Sequence, residues 1–205
     1  PRNISNASSS NNAYITSDVT LTGSLSINNF EVTSGNVATI NGTSLIVNGT
    51  SSGNVTFNRN LGTENWYLVS SPVAGETYDD AYVAANSLAI NGTNNAISTY
   101  APVDNTWSYM ETNAAAANFN AGQGYSVRLA DGQSSGDILF TGTINTASVE
   151  TSSLAVGFNL LGNPYTSFVN SATFLGAATS SNLDQSQIWL WNQATGMYEV
   201  KTSGD

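Results

Sequence analysis

The chain has 205 residues, of which 40% are hydrophobic, 10% aromatic and only 9% charged, with a net charge of −10 and neither cysteine nor histidine. The missing residue types exclude disulfides, thiolate catalysis, Cys/His zinc sites and every histidine-based triad. The four basic residues, Arg2, Arg59, Arg128 and Lys201, are too few to line a nucleic-acid or anionic-membrane surface.

Enough apolar and aromatic residues remain to bury a core, while the surface has to be built largely from Ser, Thr, Asn and Gly, a composition that suits β structure. Residues 1–18 form a polar lead-in, PRNISNASSSNNAY onward. It has neither the charged start nor the apolar run of a leader, and no later stretch is apolar for the 18 or so residues of a membrane span. We therefore expect no membrane insertion, and any signal peptide to have been removed or to lie outside this chain.

Residues 19–63 read as a strand-rich lobe of short pieces, VTLTGSLSI, FEVTS, VATI, SLIVNG and NVTFNR, with alternation at Val19, Leu21, then Leu25, Ile27, and again at Val55, Phe57. Asn28-Asn29, Ser34-Gly35, Asn41-Gly42, Asn48-Gly49 and Ser52-Gly53 punctuate them. Asn-Gly supplies the positive φ angles of tight hairpins. A meander, a β-solenoid flank and a plain sandwich lobe all fit this text.

Residues 64–152 are expected to form a β-sandwich-like unit. Trp66, Tyr67, Leu68 and Val69 predict a strand buried on both faces, ended by Pro72. Tyr78, Tyr82 and Ala85 follow helical spacing, with Thr77 or Asp79 as cap. A hairpin, AISTYAPVDNTWSYM, turns at Pro102, Asp104 and Asn105. In AGQGYSVRLA, Gly122 and Gly124 allow a close backbone approach before Tyr125 and Val127 turn inward. GDILFTGTINTASVE predicts two strands around Thr141-Gly142-Thr143.

Residues 153–205 restart the pattern. GFNLLGNPY repeats NWYLVSSPV, placing Pro164 92 positions after Pro72 (164 − 72). Ile97, Tyr100 and Trp107 recur as Ile188, Trp191 and Tyr198, each 91 later (188 − 97, 191 − 100, 198 − 107). TSFVNSATFLGAA takes the place of the helix, docked by Phe168, Thr173 and Leu175. Two landmarks at nearly one offset indicate a duplicated unit of about 90 residues. The second copy is incomplete, lacking counterparts of AGQGYSVRLA and DILFTGTI.

WYLVSSPV, the hairpin around NTWSY, GQGYSV, FTGTIN and above all GFNLLGNPYTS followed by IWLWN and MYEV resemble the large extracellular, adhesin-like β-rich proteins of Bacteroidota that leave by the type IX secretion route, in the region upstream of their C-terminal sorting domain. The resemblance implies a secreted or cell-surface scaffold. It brings no catalytic residues, and the sorting domain itself is not among these residues.

For chemistry the residues offer little. Lys201 in a KTSGD stretch is the only amine base beside Ser and Thr, and no nucleophile is expected. Glu76, Asp79, Asp80, Asp104 and Glu111 are the only acids dense enough for a two-carboxylate glycosidase, but Asp104 reads as a turn residue and Asp79-Asp80 as a helix start. Glu76, Asp79 and Asp80 are also the candidate Ca²⁺ ligands, without the spacing of a recognised calcium loop. Trp107, Tyr109, Trp189 and Trp191 lie in matching hairpins and are the candidate carbohydrate-stacking residues; their alternation in strands reads first as core.

The expected protein is therefore all-β and non-catalytic, with calcium at Glu76, Asp79 and Asp80 as the one candidate cofactor. It is expected to be a structural or adhesive protein that self-associates into filaments through strand edges. A carbohydrate-binding module is the alternative. The partners would be copies of itself or a surface glycan or protein.

Overall fold

The computed structural model describes residues 8–151, 154–177, 183 and 186–204. They form an all-β protein with two short helices and several separate sheets, in two compact units that divide between Ser167 and Phe168.

The first unit begins as a three-sided parallel coil. β1 (Asn12–Ile15), β2 (Val19–Leu21) and β3 (Leu25–Ile27) make one turn; β4 (Asn29–Val32), β5 (Ala38–Asn41) and β6 (Leu45–Val47) make the next; β7 (Ser51–Ser52) and β8 (Val55–Leu61) begin a third. Like sides stack in parallel, β1 on β4 on β7, β2 on β5 on β8, and β3 on β6, so that Val19 lies beside Ala38 and Ala38 beside Val55. Of the arrangements the sequence left open, this is the β-solenoid, and the Gly-marked turns are corners of the coil rather than hairpins. Gly35, Gly42 and Gly53 supply the positive φ at these corners.

Inside the coil, Ile27, Phe30, Ile40, Leu45 and Val55 are almost completely buried. Outside, one corner carries a ladder of amides: Asn12 Oδ1 accepts from Asn29 Nδ2 at 3.0 Å, and Asn29 Oδ1 accepts from the Thr50 amide at 2.8 Å. A parallel stack brings the same corner of each turn into register, so a polar residue there satisfies its neighbour in the next turn.

β9 (Trp66–Val69), β10 (Val73–Ala74), β11 (Thr77–Tyr78), α1 (Asp80–Ala85), β12 (Ile90–Asn91), β13 (Asn94–Ala101), β14 (Thr106–Glu111), β15 (Ala117–Asn118), β16 (Tyr125–Arg128) and β17 (Gly136–Ile144) complete the unit. β14, β13, β16 and β9 lie side by side as an antiparallel sheet, with β12 pairing the start of β13. β17 lies antiparallel along all of β8, Gly136 opposite Leu61 and Gly142 opposite Val55, and β10 continues the sheet beyond it.

The expected break at Thr141-Gly142-Thr143 is absent; residues 136–144 are one strand. Gly142 is there because a Cβ at that position would lie 2.1 Å from the Ala74 carbonyl oxygen. A glycine within a strand can mark a close backbone approach as well as a bend.

The core of this half is aromatic. The Phe119 ring packs against Tyr78 at 4.7 Å, Tyr125 at 4.8 Å, Tyr82 at 5.2 Å and Phe140 at 5.2 Å between centroids. Burial pushes the Tyr125 phenol up to about 12 and raises Tyr78 and Tyr82 as well. Tyr125 and Val127 point inward as expected, whereas the β9 strand is not buried on both faces, because Trp66 stands at the surface.

GFNLLGNPY, expected as a strand opening a second unit, instead belongs to the first. Leu161 bridges to Gln123, and Leu160 fills the space a Gly124 side chain would need. Its prolyl motif touches the earlier copy, Ser70 Oγ donating to the Asn163 carbonyl at 3.0 Å, and both Pro72 and Pro164 are buried. Thr166 then clasps β6: the Leu45 amide donates to the Thr166 carbonyl at 2.8 Å and Thr166 Oγ1 donates to the Leu45 carbonyl at 2.7 Å.

The second unit holds α2 (Ser171–Ala177) and a hairpin of β18 (Gln187–Asn192) and β19 (Met197–Thr202). Leu175 docks the helix, but Phe168 and Thr173 are exposed, contrary to expectation. Elements aligned by the 91-residue offset match: α1 starts at Asp80 and α2 at Ser171 (171 − 80), and β14 spans residues 106–111 and β19 residues 197–202. Tyr100 opposes Trp107 with rings 5.3 Å apart, and Trp191 opposes Tyr198 with rings 5.1 Å apart.

Candidate functional site

The acids have structural employment. Asp79 Oδ1 accepts from the Tyr82 amide at 2.9 Å and caps α1, as its position before the helix requires. Asp80 accepts from Asn95 Nδ2 at 2.7 Å and from the Asn113 amide at 2.8 Å, tying the helix to β13 and to the loop after β14. Glu76 accepts from the Thr77 and Thr141 amides.

Among the described residues no group of three acids is gathered as a metal would need, so the Glu76, Asp79 and Asp80 candidates are not brought into one ligand shell. Asp104 lies exposed in the β13–β14 turn, where Tyr100 donates to Asn105 Oδ1 at 2.5 Å. Lys201 sits on β19 opposite Ile188.

The aromatic candidates are at the surface. Trp107 is 38% exposed, Tyr109 41%, Trp189 39% and Trp191 37%, which corrects the reading of these rings as core. Alternation along a strand says which residues share a face, not which face is covered. In the antiparallel sheet one face is supplied by Ile97, Tyr125, Val127 and Val69; on the opposite face Trp66, Trp107 and Tyr109 are exposed, while Ala96, Ser98 and Ser126 are buried and Leu160 lies against Gly124.

Register places the outward residues in rows. Tyr109 on β14 is opposite Ser98 on β13, Ser98 is opposite Ser126 on β16, and Ser126 is opposite Leu68 on β9. Two residues along, on the same face, stand Trp107 and Tyr100 on one side and Arg128 and Trp66 on the other. Trp66 and Tyr109 come from strands with two others between them, about 14 Å apart at about 4.8 Å per strand. Their ring centroids are nevertheless 5.8 Å apart in an edge-on contact. The rings therefore lean towards each other across β13 and β16, the strands that carry Ser98 and Ser126, and those serines are only 2% and 6% exposed.

Trp66 and Ser98 were not legible as site residues. Trp66 reads as one of four consecutive apolar positions, and Ser98 as an ordinary strand serine. Only pairing across four strands brings them together. The charged groups of this face are Arg128, whose guanidinium donates to Asp131 at 2.6 Å, and the exposed Glu111. Searches against protein-family models, curated proteins and solved structures find no match to this chain.

Proposed function

We propose that this is a non-catalytic structural and adhesive protein of the cell surface or extracellular space, whose copies associate through the strand edges of the coil. The observation that carries the reading is the asymmetry of the coil's two ends. At one end β17 covers β8 and Thr166 clasps β6. At the other, β1, β2 and β3 each have a single strand neighbour among the described residues.

The direction of the free groups follows from the ladder. The Val19 amide donates to Val37 and the Leu25 amide to Ser44, so the alternate residues Thr20 and Ser26 turn their backbone groups away from the coil. An edge with unused donors and acceptors takes another strand, and low charge removes the usual deterrent. Few charges and a Ser-, Thr- and Asn-rich surface, together with the resemblance to type IX-secreted adhesin-like proteins, support the extracellular placement.

The test is sedimentation velocity over a hundredfold concentration range. The reading expects concentration-dependent association that Thr20→Pro abolishes, since proline removes an outward donor without touching the β2–β5 ladder. A protein that stays monomeric throughout, or a Thr20→Pro variant that associates like the original, refutes it.

A further inference from the structure

We propose that the outward face of the β14–β13–β16–β9 sheet is a binding platform for a neutral glycan chain, formed by Trp66, Tyr109, Trp107 and Tyr100 with Ser98 beneath them. It deepens the adhesive reading by naming what the protein holds.

Four rings share one face of the sheet in two contacting pairs, Trp66 with Tyr109 at 5.8 Å and Tyr100 with Trp107 at 5.3 Å, with Trp66, Tyr109 and Trp107 about two-fifths exposed. An exposed aromatic patch of this kind marks a recognition site. The C–H edges of a pyranose ring carry partial positive charge and pack on the negative face of an aromatic ring, while tyrosine and tryptophan polar atoms reach sugar hydroxyls.

The second observation is Ser98. Its Oγ is buried and has no hydrogen-bond partner in the structure, although it projects from the same face as Tyr109. A buried hydroxyl without a partner carries a desolvation cost that a bound group relieves. Side-chain rotation of Trp66 or Tyr109, of the kind common at binding surfaces, opens the way to it.

Ligand chemistry is narrowed by what lies around the rings. A second protein's apolar surface laid here would leave the Ser98 hydroxyl without a partner, whereas a sugar brings hydroxyls that donate and accept. Arg128 is already held by Asp131, and Glu111 adds negative charge, so the face has no free cation to select an acidic saccharide.

The test is binding of the whole chain to an array of neutral and sialylated or sulfated glycans, with hits quantified by titration calorimetry against the corresponding free oligosaccharide. Neutral glycans should bind, with Trp66→Ala and Tyr109→Ala each weakening affinity at least tenfold while circular dichroism and the unfolding midpoint show a folded protein. Ser98→Ala should weaken binding about fivefold without lowering stability, because the hydroxyl it removes has no partner in the free protein; a purely structural serine would give the opposite split.

Absence of neutral-glycan binding, binding only to acidic glycans, or binding unchanged in all three variants overturns the proposal. So does loss of self-association in the Trp66 and Tyr109 variants, which would make the face a contact between copies. Thr20→Pro should bind glycan as the original does, so failure of edge association and failure of the platform are separately visible.

Discussion

The coil and the antiparallel sheet half of the first unit solve the same problem with different materials. In the coil, each turn covers the one before, aliphatic residues such as Ile27, Ile40 and Val55 fill a narrow interior, and amides such as Asn12 and Asn29 stack at a corner. In the sheet half, β17, β16, β11 and α1 meet around a single ring, Phe119, and further rings stand on the other face of the sheet. The difference teaches that one half buries its core by repeating a strand pattern turn by turn, while the other does so around an aromatic hub and carries exposed rings on one face of its sheet.

The comparison is broken most severely at the aromatic hub. Phe119→Ala removes a buried ring touched by four others and should cost about 3–5 kcal/mol, seen as a lower midpoint in denaturant unfolding. If the coil is independent of that hub, amide exchange of β2 and β5 should be affected less than that of β16.

The seam between the halves is next. Gly142→Val places a side chain against the Ala74 backbone, which cannot swing away like a side-chain tip, and should cost about 2–3 kcal/mol and free β10 from β17. A variant as stable as the original would mean that β10 is held by something other than this approach.

Thr166→Val keeps shape but takes away the hydroxyl donated to the buried end of β6, leaving the Leu45 carbonyl short of one partner. We expect a loss of about 1–2 kcal/mol, with faster amide exchange in β3 and β6 before any change in β13. Uniform loosening of both halves would blur the distinction drawn here.

The smallest effect is electrostatic and lies on the seam. Asn60 and Asn58 donate to Asp137 at 2.6 and 3.0 Å and hold its carboxyl below the usual range. A lowered folded pKa means that the bonded carboxylate contributes above the ordinary value near 4, and the contribution is lost as pH falls through the folded value. An NMR titration should show Asp137 titrating below the ordinary aspartate value, and Asn60→Ala should move it back up.

Much of this was legible in the sequence, and the failures have physical causes. Helix α1 was readable because Asp79 stands where a cap must and Tyr78, Tyr82 and Ala85 keep helical spacing. The two hairpins were readable because the tyrosine–tryptophan pairs recur at one offset.

The direction of pairing in the coil was not, because a three-residue strand with ends in and middle out, such as Val19–Leu21, alternates identically beside a parallel or an antiparallel neighbour. Gly142 misled because glycine serves both turns and close approaches, and only the partner at Ala74 decides. The exposed rings misled because covering a face is a property of the assembled sheet, and Ser98 acquires its meaning only from Trp66, two strands away.

The most direct test of the proposed edge association is residue-resolved amide exchange at Thr20 and Ser26 at low and high protein concentration. The account expects both amides to exchange rapidly in dilute solution and to become protected as concentration rises, while Val19 and Leu25, bonded within the coil, stay protected throughout. Fast exchange at Thr20 and Ser26 at every concentration would contradict it.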